Sequence, residues 1–454
     1  MENGPQPGEE LLLRVEKLVP GGRPLAREGG LAVMLDRGLP GQTVRARVVK
    51  RHKGRAEAEA LEVAVPRGDE AEPFCRHFGE CGGCLLQDLP CGEQLRWKAE
   101  WVRESLLRTP GACDPETLEI EPARPSPRAT GFRNKMEFAF SGQGESLRLG
   151  LHKRGRPGEI FDVAECPVME GEVGPLLEAA RRFARDSGLP SVDPSTGKGF
   201  WRHLVVRRNL AGQAMAVVLT NPGKNKAVSD MADDLFPACP ELVSIVHGTR
   251  KGKGTVARPS NVRTLWGADR LSEELCGLRF ELEPRSFFQT NTLAAEGLFA
   301  TVADWAVTDP GDEVLELYCG AGAISLVMAG RGARVTGVEN VGAAVEDAVA
   351  AMKANGLTGC RFLAGDAAEL AASAKTGSPR VVVADPPRAG LAQGVARAIW
   401  EKLPEKVVMV SCNPATLARD VARLGPVYGL SRVRAFDLFP HAAHVEAVAE
   451  LRRR

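Results

Sequence analysis

A cysteine near the C-terminal end of the chain has the surroundings of a nucleophile. Cys412 lies in Val410-Ser411-Cys412-Asn413-Pro414, directly after a short apolar run that begins at Lys406. Because Asn-Pro is a turn signal, the run predicts a strand that ends at Cys412. Ligands of open parallel sheets bind outside the carboxyl ends of the strands, where an exposed thiol could attack a substrate. Taken alone, Cys412 could equally be a small buried hydrophobic residue.

A glycine turn upstream predicts a nucleotide-like ligand. Tyr318-Cys319-Gly320-Ala321-Gly322 follows the apolar run Val314 to Leu317, so that a ligand could approach the backbone at a helix N-terminus. Glu339 ends the next predicted strand, where a carboxylate can accept both hydroxyls of a ribose. The turn departs from G-x-G-x-x-G and therefore favours S-adenosylmethionine, which has no pyrophosphate, over a dinucleotide.

Two further acids follow predicted strands. Asp366 ends the third strand, where it would reach an adenine, and Asp385 opens Asp385-Pro386-Pro387-Arg388 after the fourth, where it would border the reacting methyl group. For Glu339, Asp366 and Asp385 the alternative is a carboxylate that caps a helix.

A thiol and a methyl donor in one crevice suit the methylation of a pyrimidine at C5. That carbon becomes nucleophilic only after a thiolate adds to C6, and a base must then remove the C5 proton so that the thiol can leave. Glu446, in His444-Val445-Glu446, is the carboxylate that we assign to this step. Without that context it would be an ordinary acid at a strand end.

Three clustered cysteines predict a metal site. Cys75, Cys81 and Cys84 fall within ten residues, with Gly82 and Gly83 between the last two. The fourth ligand would be Cys91 or Cys166, and four thiolates suit either Zn²⁺ or an iron-sulfur cluster. Three unrelated cysteines in a glycine-rich loop are the alternative.

The elements that must position these groups divide the chain into regions. From Arg285 onward, strands alternate with helical stretches, which predicts a doubly wound α/β sheet. The predicted strands are Val314 to Leu317, Arg334 to Val338, Arg361 to Ala364, Arg380 to Ala384, Lys406 to Val410, Arg432 to Leu438 and Val445 to Leu451.

The first half of the chain is predicted to be rich in strands. Short apolar runs between residues 11 and 65 indicate a small β-barrel, and its basic run from Arg45 to Arg55 favours either a solvated strand edge or an RNA-facing surface. An amphipathic helix is expected over Glu93 to Arg108, and a middle β-region from Phe132 to about Phe280 with one helix at Gly174 to Ser187. Basic residues on the middle strands indicate a salt-bridged sheet surface or, as a second interpretation, RNA contact; they are Arg133, Lys135, Arg202, Arg207 and Arg208.

Composition narrows the class of protein. The 454 residues carry a net charge of +1, so no global field indicates a polyanionic partner. The acidic N-terminus is unlike a secretory signal, and no apolar segment is long enough for a membrane span. We expect a cytosolic protein, in which the eleven cysteines are metal ligands or catalytic thiols rather than disulfides.

In combination, the motifs resemble those of the RNA 5-methyluridine methyltransferases. The shared motifs, in the same order, are Cys75-x5-Cys81-Gly-Gly-Cys84, Phe287-Phe288-Gln289-Thr290-Asn291, the Tyr318 to Gly322 turn, Asp385-Pro-Pro-Arg-Ala-Gly390, Ser411-Cys-Asn-Pro414 and His444-Val-Glu446. The resemblance implies Cys412 as nucleophile and Glu446 as base. It also implies contacts of Gln289, Tyr318, Glu339 and Asp385 with S-adenosylmethionine, to which the glycine turn and the strand ends add Gly320 and Asp366.

The resemblance further implies a [4Fe-4S] cluster on Cys75, Cys81, Cys84 and Cys166, and three domains. These are a TRAM-like, OB-like RNA-binding barrel (1–66), a middle domain carrying the cluster (67–92 and 125–283) and a class I, Rossmann-like methyltransferase domain (93–124 and 284–454) on which the helix from Glu93 packs. Barrel and cluster together are similar to the enzymes that act on 23S ribosomal RNA rather than on the tRNA T-loop. We expect a monomer that acts on RNA, with tRNA as the alternative substrate.

Other protein classes fit less well. An exocyclic-amine methyltransferase would place an aromatic residue at Arg388 and would not need Cys412, and a radical methylthiotransferase would space its cysteines C-x3-C-x2-C. A non-catalytic iron-sulfur protein that binds RNA or senses redox state would be indifferent to Cys412 and Glu446.

Overall fold

The computed structural model describes residues 4–116 and 118–454. Its strands are β1 (Glu10–Leu18), β2 (Pro24–Glu28), β3 (Leu31–Leu35), β4 (Thr43–His52), β5 (Arg55–Val65), β6 (Glu119–Arg124), β7 (Lys135–Ser141), β8 (Arg148–Lys153), β9 (Arg156–Asp162), β10 (Trp201–Arg208), β11 (Ala214–Thr220), β12 (Leu242–Thr249), β13 (Asn261–Gly267), β14 (Leu271–Leu275), β15 (Leu278–Leu282), β16 (Glu313–Leu317), β17 (Arg334–Glu339), β18 (Cys360–Ala364), β19 (Val381–Ala384), β20 (Lys406–Ser411), β21 (Tyr428–Phe436) and β22 (Glu446–Arg453). Its α-helices are α1 (Cys91–Arg108), α2 (Gly174–Asp186), α3 (Asn225–Ala238), α4 (Thr292–Ala306), α5 (Ala323–Ala329), α6 (Gly342–Ala354), α7 (Ala367–Ala372), α8 (Gln393–Lys402) and α9 (Pro414–Leu424).

The N-terminal strands close into a barrel. Their order is β1-β2-β3-β5-β4, and β4 is hydrogen-bonded back to β1. Along β4, Val44, Ala46 and Val48 are buried in the barrel while the residues between them are exposed. A strand with one buried face requires this alternation. The small barrel predicted from the spacing of apolar runs is confirmed.

Acids neutralise part of the basic run on the barrel. Arg47 Nη2 lies 2.7 Å from Glu10 Oε1, and Arg45 Nε lies 3.1 Å from Glu62 Oε1. Both arginines remain exposed, so at these two positions the structure matches the solvated strand edge, the first of the two interpretations.

A middle sheet follows, with its strands in the order β13-β12-β11-β10-β7-β8-β9. Helices α2 and α3 cover one face in a core that includes Phe138, Leu177 and Met231. On the other face Leu271 of β14 packs against Val205 of β10. Helix α2 confirms the helix predicted at Gly174 to Ser187, whereas α3 was not predicted.

The arginines of β10 are buried in this arrangement. Arg207 Nη2 donates to the carbonyl oxygen of Ser286 at 2.7 Å, and Arg208 Nη2 donates to that of Glu172 at 2.5 Å. Burial lowers the pKa of Arg207 to about 10. Since both guanidinium groups are enclosed by protein, the interpretation of these two residues as RNA contacts is wrong.

The C-terminal sheet has the order β18-β17-β16-β19-β20-β22-β21-β6. Strands β16 to β20 are parallel, and β22 runs antiparallel to both of its neighbours. Helices pack on both faces, in two cores that meet at the sheet. The predicted doubly wound α/β architecture is confirmed, and the last strand reverses direction.

Two early elements belong to the C-terminal sheet. Strand β6 pairs with β21. Helix α1 packs on α9, which lies on one face of the sheet. From the same helix, the indole of Trp101 donates to the carbonyl oxygen of Leu18 in the barrel at 2.9 Å. The predicted amphipathic helix over Glu93 to Arg108 and its packing on this sheet are confirmed. Helix α1 thereby joins the barrel to the C-terminal sheet.

Among the described residues, no helix is both long and apolar enough to cross a lipid bilayer.

Candidate active site

Three predicted site residues lie at neighbouring strand ends. Asp385 directly follows β19 and Cys412 directly follows β20, and these two strands are parallel neighbours. Glu446 begins the antiparallel strand β22, whose residue Ala447 pairs with Ser411. The carboxyl end of β20 and the start of β22 therefore lie side by side. We refer to the space at these strand ends as the crevice.

The thiol of Cys412 is half-buried in the crevice. Asn413 is the N-cap of α9 and its Oδ1 accepts a hydrogen bond from the Ala415 amide at 3.0 Å, so the turn after β20 is locked. Burial raises the pKa of Cys412, and the charges of Glu446 and Asp385 raise it further, while Arg388 lowers it. The protein alone therefore keeps the group as a thiol.

The carboxyl of Glu446 is buried, with 8% of the residue exposed. Burial raises its pKa well above the ordinary value, the charge of Asp385 adds to the rise, and Arg388 opposes it. Burial also raises the pKa of Asp385, to about 6. A carboxylate with a raised pKa is a stronger base than one in water, which is what proton removal from carbon needs.

Arg388 supplies the positive charge of the crevice. It is exposed, and its charge lowers the pKa of both Cys412 and Glu446. Within the described residues no carboxylate forms an ion pair with it. The sequence interpretation used Arg388 only to exclude a stacking aromatic residue, although its place in Asp385-Pro-Pro-Arg388 was a signal for this role.

The glycine turn after β16 is strained in a way that suits a ligand. Tyr318 has φ of +65°, a left-handed conformation that is unusual for a side chain other than glycine. At Gly320, with φ of +54°, a Cβ would meet nothing within 4 Å, so the backbone there is open to a ligand. Glu339 Oε2 accepts from the Gly320 amide at 3.1 Å and its Oε1 from the Val341 amide at 2.8 Å. The structure thus brings Tyr318, Gly320 and Glu339 together.

Asp366 caps a helix, which was the alternative to a contact with adenine. Its Oδ1 accepts from the amides of Ala368 at 2.8 Å and Glu369 at 3.1 Å and so caps α7. Burial raises the pKa of Tyr318, and the charge of Asp366 raises it further. Asp366 therefore lies near the turn, and neither amide bond uses Oδ2.

The last two residues near the glycine turn and the cofactor segment are Glu316 and Gln289. Glu316 is buried beneath the turn, where burial raises its pKa to about 8 and a bond from Ser325 opposes the rise. Gln289 is half-buried, and its carbonyl oxygen accepts from Asn134 Nδ2 of the middle region at 2.9 Å. The segment before α4 is thereby fixed against β7.

His441 was not singled out from the sequence, yet it connects several segments. Its carbonyl oxygen accepts from the amides of Leu85 and Leu86 at 2.7 and 3.0 Å, and its amide donates to Gln94 Oε1 at 2.8 Å. Its Nε2 lies 2.9 Å from the carbonyl oxygen of Ala129. The backbone at His441 is left-handed, with φ of +64°. This residue ties α1 and the segment after Cys84 to the loop that leads to Glu446.

Lys98 fixes the same loop from α1. The residue is fully buried, and its Nζ donates to Asp437 Oδ1 at 2.6 Å and to the carbonyl oxygen of Phe439 at 2.9 Å. Removing either charge would leave the other buried without a partner. Two side chains of α1, Gln94 and Lys98, thus hold the loop between β21 and β22.

The predicted cluster cysteines are neighbours. Burial and the charges of Cys81 and Cys75 raise the pKa of Cys84 to about 11, and burial and the charges of Cys84 and Cys81 raise that of Cys166 to about 12. Cys91 instead begins α1, near Asp437 and Lys98. In the part of the chain that is described, however, no three His, Cys, Asp or Glu side chains converge as metal ligands would. The chemistry of the four thiols suits a metal, whereas their arrangement in the described residues does not match a ligand shell.

Comparison with known proteins places the whole chain among RNA-modifying enzymes. Residues 255–454 match the family model described as tRNA (uracil-5-)-methyltransferase. An uncharacterized RNA methyltransferase of Nitratidesulfovibrio vulgaris is 41% identical over 98% of this chain and 96% of its own length. One of Caldanaerobacter subterraneus subsp. tengcongensis is 35% identical over 98% of this chain and 99% of its own.

A solved structure shares the same architecture. The tRNA (uracil-54, C5)-methyltransferase of Pyrococcus abyssi, in complex with S-adenosyl-L-homocysteine, is similar with a TM-score of 0.76 and 26% sequence identity. The likeness covers 98% of this chain and 100% of that one.

Proposed function

Because the chain belongs to the family of S-adenosylmethionine-dependent RNA (uracil-5-)-methyltransferases, we propose that it methylates C5 of a specific uridine in RNA through a covalent adduct on Cys412. The observation that carries the proposal is the meeting of Asp385, Cys412 and Glu446 at adjoining strand ends. One pyrimidine ring can touch all three only if they share such a crevice.

The chain's own groups divide the chemistry between them. The target uridine leaves its stack and enters the crevice, where Cys412 Sγ adds to C6 and electron density moves to C5. S-adenosylmethionine, when bound, supplies the electrophilic methyl group that C5 takes up. Glu446 then removes the C5 proton, and the Cys412 sulfur leaves from C6 as the double bond re-forms. Arg388 favours the charged forms of Cys412 and Glu446.

The cofactor pocket is proposed at the ends of β16 to β19 and beside the segment before α4, and it meets the reactive groups at Asp385. Its residues are Gln289, Tyr318, Gly320, Glu339, Asp366 and Asp385. Support comes from the open backbone at Gly320 and from Glu339, which accepts a hydrogen bond from the Gly320 amide. Tyr318 belongs to the same turn. Asp366 retains one carboxylate oxygen beyond its capping role.

The mechanism is tested with RNA that carries 5-fluorouridine at the target. Fluorine cannot leave C5 as a cation, so the wild-type enzyme is expected to stop as a covalent RNA adduct with the methyl group already transferred. Cys412→Ser should form no adduct and lose roughly 10⁴-fold or more of its turnover. Cys276→Ser, which changes a thiol in the β14–β15 turn, is the matched control. The mechanism is wrong if the wild type forms no adduct under turnover conditions.

For the substrate we propose 23S ribosomal RNA, with the tRNA T-loop uridine as a second candidate. The second candidate is favoured by the likeness, over the whole chain, to an enzyme named for tRNA uracil-54. Since that protein shares the full architecture, the presence of a barrel does not separate the two substrates. Mapping of methyl transfer onto transcripts of both RNAs decides between them. We also propose that the barrel acts as a TRAM-like RNA-binding domain, as the resemblance implies.

We further propose that Cys75, Cys81, Cys84 and Cys166 hold a [4Fe-4S] cluster with a structural role. The proposal rests on the resemblance and on the affinity of thiolates for iron-sulfur clusters. Cys81, Cys84 and Cys166 are near enough for their charges to influence one another, but among the described residues they do not converge as ligands. Protein isolated without oxygen should contain about four irons per chain. Cys166→Ser should lose iron, and Cys91→Ser should keep it. Zinc in place of iron, or iron loss in the Cys91 variant, would contradict this assignment.

A further inference from the structure

One end of the middle sheet collects positive charge, with the exposed carboxylate of Asp193 at the edge of the cluster. Residues 194–229 and 242–268 contain no Asp or Glu. Apart from Lys226, which pairs with Asp230, the exposed cations of these stretches are Lys198, Lys224, Lys251, Lys253, Arg258 and, in β13, Arg263. None of them forms an ion pair with another described residue, unlike Arg45 and Arg47 of the barrel.

Three loops bring these cations to one place. They are residues 194–199, 221–225 and 250–260, and we call them the basic loop surface. The Gly254 amide donates to the carbonyl oxygen of Pro194 at 2.8 Å. Asn221 Nδ2 donates to the carbonyl oxygens of Gly197 at 2.9 Å and Gly199 at 2.8 Å. Since each loop is bonded to another, the surface is built rather than accidental.

Arg202 lies beneath the basic loop surface and holds it. The residue is buried, and its guanidinium donates to Asn221 Oδ1 at 2.9 and 3.0 Å and to the carbonyl oxygens of Gly252 and Gly254. Burial and the charge of Arg250 lower the pKa of Arg202. The fold thus concentrates like charges here, which is unfavourable unless a polyanion neutralises them.

The basic loop surface is remote from the crevice. Strand β10 begins at Trp201, beside Arg202, and ends at Arg208, and Arg207 near that end bonds to Ser286 next to the C-terminal sheet. At about 3.3 Å per residue, the surface lies roughly 20 Å along the strand from that contact. It cannot touch the uridine that reacts.

We propose that the basic loop surface binds the phosphate backbone of the substrate RNA, outside the nucleotides that enter the crevice. The inference rests on the proposed function in taking RNA as the substrate. Phosphates of a folded RNA are spaced regularly along the chain, and exposed lysines and arginines neutralise them with release of counterions. Such contacts position an RNA and read no sequence.

The test uses a charge-reversed chain. Lys251→Glu, Lys253→Glu and Arg258→Glu are combined, because these side chains are exposed and hold no loop together. The matched control combines Lys353→Glu, Lys375→Glu and Arg397→Glu, which change the charge equally on the C-terminal domain. Affinity for a long structured transcript of the substrate RNA is measured over a range of salt concentrations. The charge-reversed chain should bind at least tenfold more weakly at physiological salt, with a salt slope smaller by about 2, while the control matches the wild type.

A second variant separates charge from folding. Lys251→Gln, Lys253→Gln and Arg258→Gln together should lower the slope by a similar amount with thermal unfolding unchanged. Equal slopes for wild type, charge-reversed and glutamine chains would overturn the inference. The 5-fluorouridine adduct of the wild type reports separately on the proposed function: an adduct with equal slopes refutes this inference alone, and altered slopes without an adduct refute the catalytic proposal alone.

Discussion

The two halves of the crevice hold their carboxylates in different ways. On the side of β17 and β18, Glu339 and Asp366 each accept two backbone amides from residues close by in space. On the side of β19 and β22, Asp385 and Glu446 accept no hydrogen bond from any described residue, and burial raises the pKa of both. Amides that donate to a carboxylate fix its position and favour its charge.

The difference separates binding from proton transfer. A group that must hold a ribose or an adenine works best as a fixed anion, whereas a group that must take a proton works best when its charged form is not over-stabilised. The binding half is set by local backbone. The reactive half is held by Lys98 of α1, whose partner Asp437 is 339 positions away in the sequence.

Among the substitutions that test this difference between the two halves, Glu446→Gln is expected to lower turnover most. Without a base, the C5 proton stays in place after methyl transfer, so turnover should fall roughly 10²- to 10⁴-fold and a methylated covalent adduct should accumulate on ordinary uridine RNA. A denaturing gel with labelled methyl donor measures the adduct. Glu401→Gln, on the exposed side of α8, is the control. Normal turnover of the Glu446 variant would show that the base lies elsewhere.

Lys98→Ala tests whether α1 holds the reactive half. It leaves Asp437 buried without its cation, which should lower the free energy of unfolding by about 3–5 kcal/mol, as measured by urea denaturation. Arg103→Ala removes an exposed ion pair with Glu100 on the same helix and should change it by less than about 1 kcal/mol. Similar stabilities for the two variants would mean that the buried pair does not position the loop.

Arg388 tunes the reactive half through pH. Cys412 adds to C6 as the thiolate, so the rate of adduct formation should rise with pH; Glu446 acts in the later step, in which the C5 proton is removed. Because the positive charge of Arg388 lowers the pKa of both groups, Arg388→Gln raises them and moves the rise to higher pH. At neutral pH the rate should be roughly three- to tenfold lower, and the deficit should shrink in alkaline buffer.

The measurement is single-turnover adduct formation from about pH 6 to about pH 9. Arg388→Lys keeps the charge and should keep the wild-type profile. Superimposable profiles for the glutamine variant and the wild type would remove Arg388 from the electrostatics of the crevice.

The smallest effects are expected in the binding half. Asp366→Ala should lose the helix cap, worth about 1 kcal/mol of stability, together with affinity for S-adenosylmethionine. Asp366→Asn keeps a capping oxygen but replaces Oδ2 by an amide group, so stability should hold while the affinity drops about five- to tenfold. Calorimetric titration gives the affinity. An asparagine variant that binds normally would leave Asp366 as a cap and nothing more.

Sequence patterns predicted the crevice because Asp385 and Cys412 each follow a strand that ends at Pro or Asn, and Glu446 begins the last strand. Cys412, Asp385 and Glu446 could be placed on neighbouring strand ends from local residues alone. His441 and Lys98 could not, since their roles depend on contacts with segments that are hundreds of positions away.

The burial of the β10 arginines in the middle sheet could not be predicted from the sequence either. Strand β10 is covered on both faces, by α2 and α3 on one and by β14 on the other, so its arginines cannot be distinguished from surface cations by alternation. Helix α3 contains a proline at position 237, a residue that normally ends a helix, and it was not predicted.

Strand β6 has a consequence for how the protein is made. It leaves the ribosome long before its pairing partner β21, since Glu121 of β6 and Arg432 of β21 are 311 positions apart. Until β21 is synthesised, the edge of β6 and the apolar side of α1 have no partners, a state prone to aggregation. Nascent chains of this protein should therefore depend on chaperones until β21 has left the ribosome.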